Sequence, residues 1–201
     1  MKTMLHLTPQ DQGRPLNLEE FQSASGQEGF RYELIHGRLQ VSPLPDLPHD
    51  ELRDWIKQKL REYTQQQPDV INQIKGPARV FLLEQDEVTA PQPDVAAYRD
   101  FPHHLRLRDL RWQDVSPILV VEVISEDTAE KDLIRNPDLY VQVPSIREYW
   151  IIDPRPSPDE PALIVYRRRG QRWQRPIHVP FRGSYTTRLL PDFIFVVDPR
   201  T

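Results

Sequence analysis

The chain has 201 residues, 38% hydrophobic and 28% charged, so one domain with a real core is within reach. A formal net charge of -4 argues against coating nucleic acid by bulk charge, without excluding a nuclease whose metal-binding carboxylates make the bare chain acidic. With no Cys there is no disulfide framework, thiolate metal site or thiol nucleophile, and a reducing cytoplasm is the simplest location. No apolar run approaches the roughly 20 residues of a membrane span, and the N-terminus turns polar too early for a signal peptide.

Residues 1–16 read as a lead-in to a single domain over 17–201. Asn17 is a cap for a short helix, LEEFQSA, with Glu19 and Glu20 at the positive end of its dipole. FRYELIHGRLQVSPLP has the pattern of a hairpin turning at His36-Gly37, with Tyr32, Leu34, Leu39 and Val41 alternating around it. Glu33 falls on the other parity with Arg31 and Ile35, the solvent side if nothing covers it. From His49 to Gln67 the apolar period becomes helical, with Leu52, Trp55, Ile56, Leu60 and Tyr63 on one stripe and Pro68 as the stop. His49 at the helix entry suits a cap or a pocket-facing role equally.

VINQI and ARVFLLE follow as strands separated by Lys75-Gly76-Pro77, then the polar loop QDEVTAPQ and a short strand in PDVAAY. DFPHHLRLRDLRWQDVSP is a connector or short helix, and its His103-His104 has no carboxylate at ligand spacing. ILVVEVIS, apolar on both parities except at Glu122, describes a central strand covered on both faces. Asp127 and Glu130 make a D-x-x-E capping pattern, and Asn136-Pro137 a second helix start with Asn136 as its cap, which predicts a helix broken or kinked between Lys131 and Leu139. EYWIID is a further strand, ALIVYRRRGQRWQRPIHV a hairpin turning at Arg169-Gly170, and FIFVVD a candidate final strand. Antiparallel pieces with one crossover helix imply an α/β (α+β) domain, a mixed β-sheet flanked by helices with additional β-hairpins.

A carboxylate inside a covered strand is costly unless it is paired, hydrogen-bonded or bound to a cation. Glu122 has a second acid upstream, Asp94, also opening an apolar segment. Two acids suit Mg²⁺, which takes one or two protein carboxylates and keeps waters or substrate oxygens. Lys131, the only Lys between Glu122 and the C-terminus, is the candidate to orient water or neutralise phosphate. A strand-end Glu satisfied by Arg or backbone explains Glu122 as well. The pair as glycosidase acid and nucleophile is a further option, weakened by the lack of an adjacent sugar-stacking Trp. In the basic hairpin, Arg168, Arg169 and Arg172 with Trp173 could grip a nucleic-acid backbone, or be solvated.

RYELIHGRL, the His at a helix start, PDVAAY, VVEVIS and EYWIIDP together resemble the Uma-type putative restriction endonuclease family of the PD-(D/E)XK nucleases, from about Asn17 to about Asp198. The resemblance implies a restriction-endonuclease-like core, a Mg²⁺ or Mn²⁺ cofactor, DNA as partner and homodimers. It puts Asp94 at the PD position, Glu122 at the acidic position, and the carbonyl of Val123 in the metal shell. Glu33 would be an additional acid, and His49 matches a common family His. In the family's D-x-x-x-K-x-x-x-Y arrangement Asp132 and Tyr140 fit, but Asn136 occupies the Lys position, where a helix-cap role suits it. Either Lys131 or Arg135 supplies the missing charge, or the chain is a catalytically impaired relative that binds nucleic acid or oligomerises.

Overall fold

The computed structural model describes residues 4–82, 87–125 and 129–201. In chain order its strands are β1 (His6–Leu7), β2 (Ser25–Gly26), β3 (Phe30–Ile35), β4 (Arg38–Pro43), β5 (Gln73–Lys75), β6 (Val95–Tyr98) and β7 (Leu119–Val123). After the crossover come β8 (Glu148–Asp153), β9 (Ala162–Arg169), β10 (Arg172–Trp173), β11 (Ile177–Val179), β12 (Ser184–Thr187) and β13 (Leu190–Val196). The α-helices are α1 (Leu18–Ser23), α2 (Leu47–Gln66) and α3 (Asn136–Tyr140).

Seven strands form one sheet in the order β10-β9-β8-β7-β6-β5, with β11 also paired to β9. Within this sheet only β7 and β8 run parallel, because the helical crossover between them returns the chain to the same end. Period-two alternation divides β7 between two cores. Leu119, Val121 and Val123 face α2, whose Leu52, Trp55, Ile56, Leu60 and Tyr63 form the expected stripe. Val120 and Ile124 face Leu139, Tyr140, Tyr149 and Ile151 on the other side. Ile56 and Leu60 are fully buried, each side chain contributing about 1.5–3 kcal/mol of hydrophobic transfer. Asp46, one residue before the α2 start, caps it by accepting from the His49 backbone N–H at 3.1 Å.

The β3–β4 hairpin turns at His36-Gly37 as the sequence implies, with positive φ at both residues, the backbone that two-residue hairpin turns require. Leu7 and Leu16 are buried with Phe21, Tyr32, Leu34 and Leu39, so the N-terminal residues pack on this hairpin. Asn17 caps α1 reciprocally with Glu20.

Three expectations need correction. Residues 78–82 make half of a strand ladder: the N–H groups of Ala78, Val80 and Leu82 donate to the carbonyls of Pro93, Pro91 and Thr89. Pro91 and Pro93 carry no N–H to donate back, so no regular strand forms there. The basic hairpin pairs Arg169 with Arg172, placing the turn at Gly170-Gln171. In the crossover helix the irregularity expected between Lys131 and Leu139 is present without a break, and the correction falls on Asn136 as a cap. Lys131–Arg135 is a π-helical turn that runs into α3, and the Asn136 N–H donates to the Lys131 carbonyl. Pro137 removes one helical donor, and the widened turn absorbs that loss while the backbone stays helical. Asn136 is therefore no cap; its backbone is right-handed helical and its side chain fully buried. Asp127 of the proposed D-x-x-E cap lies outside the described residues.

Candidate active site

Extending the β6–β7 register, in which Val95 pairs with Val121, sets Asp94 opposite Glu122. Directly opposed residues of an antiparallel pair project to the same face, and both acids lie on the crossover-helix side. They are tied through the backbone: Glu122 Oε2 accepts from the Asp94 N–H at 3.2 Å, and Asp94 Oδ2 from the Val123 N–H at 2.9 Å. Asp94 lines a cavity of about 320 Å³ together with Val123, His49, Arg31, Lys131 and Asp132. Glu122 sits behind this lining, only 1% exposed.

Each element brings one further group. From β3, Arg31 donates to Asp94 Oδ1 at 2.7 Å. At the third residue of α2, His49 sets Nε2 3.2 Å from Asp94 Oδ2, so its backbone takes the cap while its ring faces the cavity. The crossover helix supplies Asn136, whose amide donates to Glu122 Oε1 at 3.0 Å and Asp132 Oδ1 at 2.8 Å. One turn on, the Tyr140 hydroxyl donates to Glu122 Oε1 at 2.9 Å. Glu33, far from being on a solvent face, is buried: it accepts from the Gln92 N–H at 2.7 Å and from Arg135 at 2.9 Å. Lys131 Nζ lies 3.7 Å from Asp132 and 3.9 Å from Glu33, with its side chain 18% exposed toward the cavity.

Four buried carboxylates thus share three permanent cations, Arg31, Lys131 and Arg135. Burial would raise Asp94, but the His49 and Arg31 contacts overcome it and hold the carboxyl well below its usual range. Glu33 is lowered too, Lys131 and Arg135 outweighing its burial. Glu122 goes the other way. Burial, reinforced by Asp132, Asp94 and Glu33, pushes it well above the ordinary carboxylate range despite Lys131. Burial would depress Lys131, yet the surrounding acids, Glu33 and Glu122 foremost, raise it, so the amine is firmly charged.

This donor set fits a hard divalent cation. Opposed carboxylates share a face beside a cavity lined by Arg31, His49 and Lys131, and a bound cation would favour the ionised form of Glu122 that burial otherwise disfavours. Among the described residues no group of three or more His, Asp or Glu is arranged to enclose a metal. A cation here would therefore rest on two carboxylates and complete its shell with water or substrate oxygens, the habit of Mg²⁺.

Of the sequence-derived candidates, Glu33, His49, Asp94, Glu122, Val123, Lys131, Asp132, Arg135 and Tyr140 converge on this region. Arg31 was not among them, although its β3 parity with Glu33 places both on one face. The basic hairpin stands apart, three strands along the sheet from β7 at β10. Arg169 and Arg172 are exposed there. Arg168 does not join them. Its guanidinium donates to the carbonyls of Tyr140 (2.9 Å), Val143 (2.8 Å) and Ile146, stacks on Trp173, and so ties down the chain leaving α3. Arg168→Ala leaves these carbonyls without their charged donor, and is expected to cost about 2–4 kcal/mol in a urea melt. An unchanged midpoint would show that water replaces the guanidinium.

A sequence model described as Uma2, putative restriction endonuclease, matches residues 18–197. The fold is similar to the crystal structure of a putative nuclease belonging to DUF820 from Anabaena variabilis ATCC 29413, with a TM-score of 0.65 and 16% identity, covering 91% of this chain and 96% of that one. No curated protein matches the sequence. No described helix is long and apolar enough to cross a membrane.

Proposed function

Because the chain belongs to the Uma2 family of putative restriction endonucleases, we propose that it hydrolyses DNA phosphodiester bonds with Mg²⁺ or Mn²⁺ held by Asp94 and Glu122. The observation that carries this reading is the pair itself: two opposed, buried carboxylates on one face of adjacent strands, beside a cavity lined by Lys131 and His49. When bound, the cation supplies Lewis acidity toward the phosphoryl oxygens and lowers the pKa of a coordinated water.

The protein's own residues do the rest. Asn136 and Tyr140 fix the Glu122 carboxylate from behind, leaving its Oε2 edge directed at Asp94. His49 orients Asp94 from α2. Lys131 Nζ, held charged by the acids around it, faces the cavity where it would neutralise a phosphate oxygen or orient the attacking water. Arg31, now on Asp94, gains an alternative anionic partner once a phosphate enters. Val123 lines the same cavity, and its carbonyl would be a further oxygen donor to the cation.

The alternative, an impaired relative that binds nucleic acid without cutting it, is favoured by one feature: Asn136 stands where the family carries a Lys. Nicking of supercoiled plasmid by the purified chain, with Mg²⁺, Mn²⁺ or EDTA, separates the two. Linear or nicked product with either metal and none with EDTA is the expected result. Intact plasmid under all three conditions, alongside retained DNA binding, selects the alternative.

A further inference from the structure

A second cleft, of about 1010 Å³, opens at the start of β8, beside the end of β9 and the β12–β13 turn. Glu148 pairs with Leu119 whereas Glu122 pairs with Ile151, so this cleft is about 10 Å further along the strands than the acids. Glu148 also shares the parity of Trp150, on the α2 side of the sheet, whereas Glu122 belongs to the crossover-helix side. The cleft is thus separated from the acidic cavity by its position along the strands, at the start of β8 rather than the end of β7.

Arg147, Arg167 and Arg188 line it, with Thr186 and Gln174. All three arginines are exposed, and among the described residues none donates a side-chain hydrogen bond or forms an ion pair within 4 Å. Arg147 lies close enough to Arg168 for their like charges to repel. The turn carrying Arg188 is nevertheless firmly placed. The Thr187 hydroxyl bonds to the buried Glu148 carboxylate and accepts from the Leu189 N–H at 3.1 Å. Glu148 also accepts from Trp150 Nε1 at 2.8 Å and the Tyr185 hydroxyl at 3.2 Å. With its oxygens engaged by these three donors, it anchors the turn without forming an ion pair with the arginines. Asp192 is the one exposed acid in the lining and pairs with none of them within 4 Å, so three exposed guanidiniums and the carbonyl-bound Arg168 around an open cleft too large for one phosphate present a net-positive, anion-binding surface.

We infer that this cleft binds the phosphate backbone of a duplex segment distinct from the one reaching the acidic cavity. The inference rests on the nuclease reading for its choice of DNA over other polyanions. It gives the protein two DNA contacts at different ends of the β7–β8 pair, so that one duplex holds the protein while another, or a looped part of the same molecule, is presented to the acids.

Fluorescence anisotropy with a short labelled duplex in EDTA tests it, comparing wild type, the triple variant Arg147→Ala/Arg167→Ala/Arg188→Ala, and Arg188→Glu, whose exposed position spares the fold. The triple variant is expected to lose about 2–3 units from the log affinity against log salt slope, and roughly tenfold or more in affinity at moderate salt. Arg188→Glu is expected to lose about one unit or more. Inorganic phosphate at millimolar concentration is expected to compete weakly, and poly-glutamate of matched charge more weakly than DNA. Wild-type affinity and slope in both variants overturn the inference, as does equal displacement by poly-glutamate or full displacement by free phosphate. Plasmid cleavage is read in parallel. Cleavage lost from the wild type with its salt slope intact removes the nuclease reading alone, whereas cleavage present with an unchanged slope in the variants removes this inference alone.

Discussion

Glu122→Gln is expected to abolish metal-dependent plasmid cleavage, by at least about a hundredfold, since it removes one of two charges meant to hold the cation. Mg²⁺ or Mn²⁺ raises the wild-type melting temperature by linkage, and the variant loses most of that shift. The same substitution changes the pH dependence of the metal-free protein. Glu122 titrates higher when folded than unfolded, so the folded state binds a proton that the unfolded chain has released above the ordinary carboxylate range. Metal-free stability therefore falls as pH rises from the ordinary glutamate value of 4.5 toward the raised one, and Glu122→Gln removes that part of the slope. Asp94 acts in the opposite sense and in a different window. Its lowered pKa contributes stability above the ordinary aspartate value of 3.8, lost as pH falls through the depressed one. Chemical denaturation in EDTA from pH 5 to 8 avoids the Asp94 window, and the difference between wild type and Glu122→Gln separates Glu122 from Glu148, which burial also raises. An identical pH slope in wild type and Glu122→Gln, with the same response to metal, would make Glu122 a structural strand residue.

Lys131→Ala carries the second large effect. It withdraws the amine facing the cavity and leaves Glu33, Asp132 and Glu122 with less compensation. Breaking such a buried cluster typically costs about 3–5 kcal/mol, and cleavage is expected to drop by about a hundredfold or more if the amine contributes acid–base chemistry. Folding and catalysis are separable here. Lys131→Arg restores the charge and most of the stability, but its planar fork differs from a compact ammonium in how it orients water. Recovered stability with depressed cleavage is therefore the expected signature. Asn136→Lys in the Lys131→Ala background moves the charge to the family's own position, four residues before Tyr140, and is expected to rescue cleavage. Wild-type-like cleavage by a folded Lys131→Ala protein defeats the role proposed for this residue. A gain of more than tenfold from Asn136→Lys alone would show that the native site is degenerate, favouring the impaired relative.

Sequence by itself determined the elements whose signals are local. The doubly apolar run around Glu122, the helical stripe from Leu52 to Tyr63 and the His36-Gly37 turn each follow from periodicity or backbone preference within a few residues. The acid pair was legible for a related reason. An acidic residue opening or interrupting an apolar strand is expensive, so Asp94 and Glu122 stand out against their neighbours. Tertiary structure decided which partner meets each acid. Arg31 reaches Asp94 across 63 positions, and Arg135 reaches Glu33 across 102. Such pairings depend on how the hairpin, the sheet and the crossover helix are stacked, and no short-range pattern encodes them. The same limit explains Asn136 and Arg168. An Asn before a Pro looks like a cap, and an Arg in a basic run looks like a phosphate contact. In the fold, the π-turn swings Asn136 inward between Glu122 and Asp132, while unsatisfied carbonyls after α3 claim Arg168. Buried polar groups take the partners that packing brings within reach, and only the assembled layers fix which partners those are.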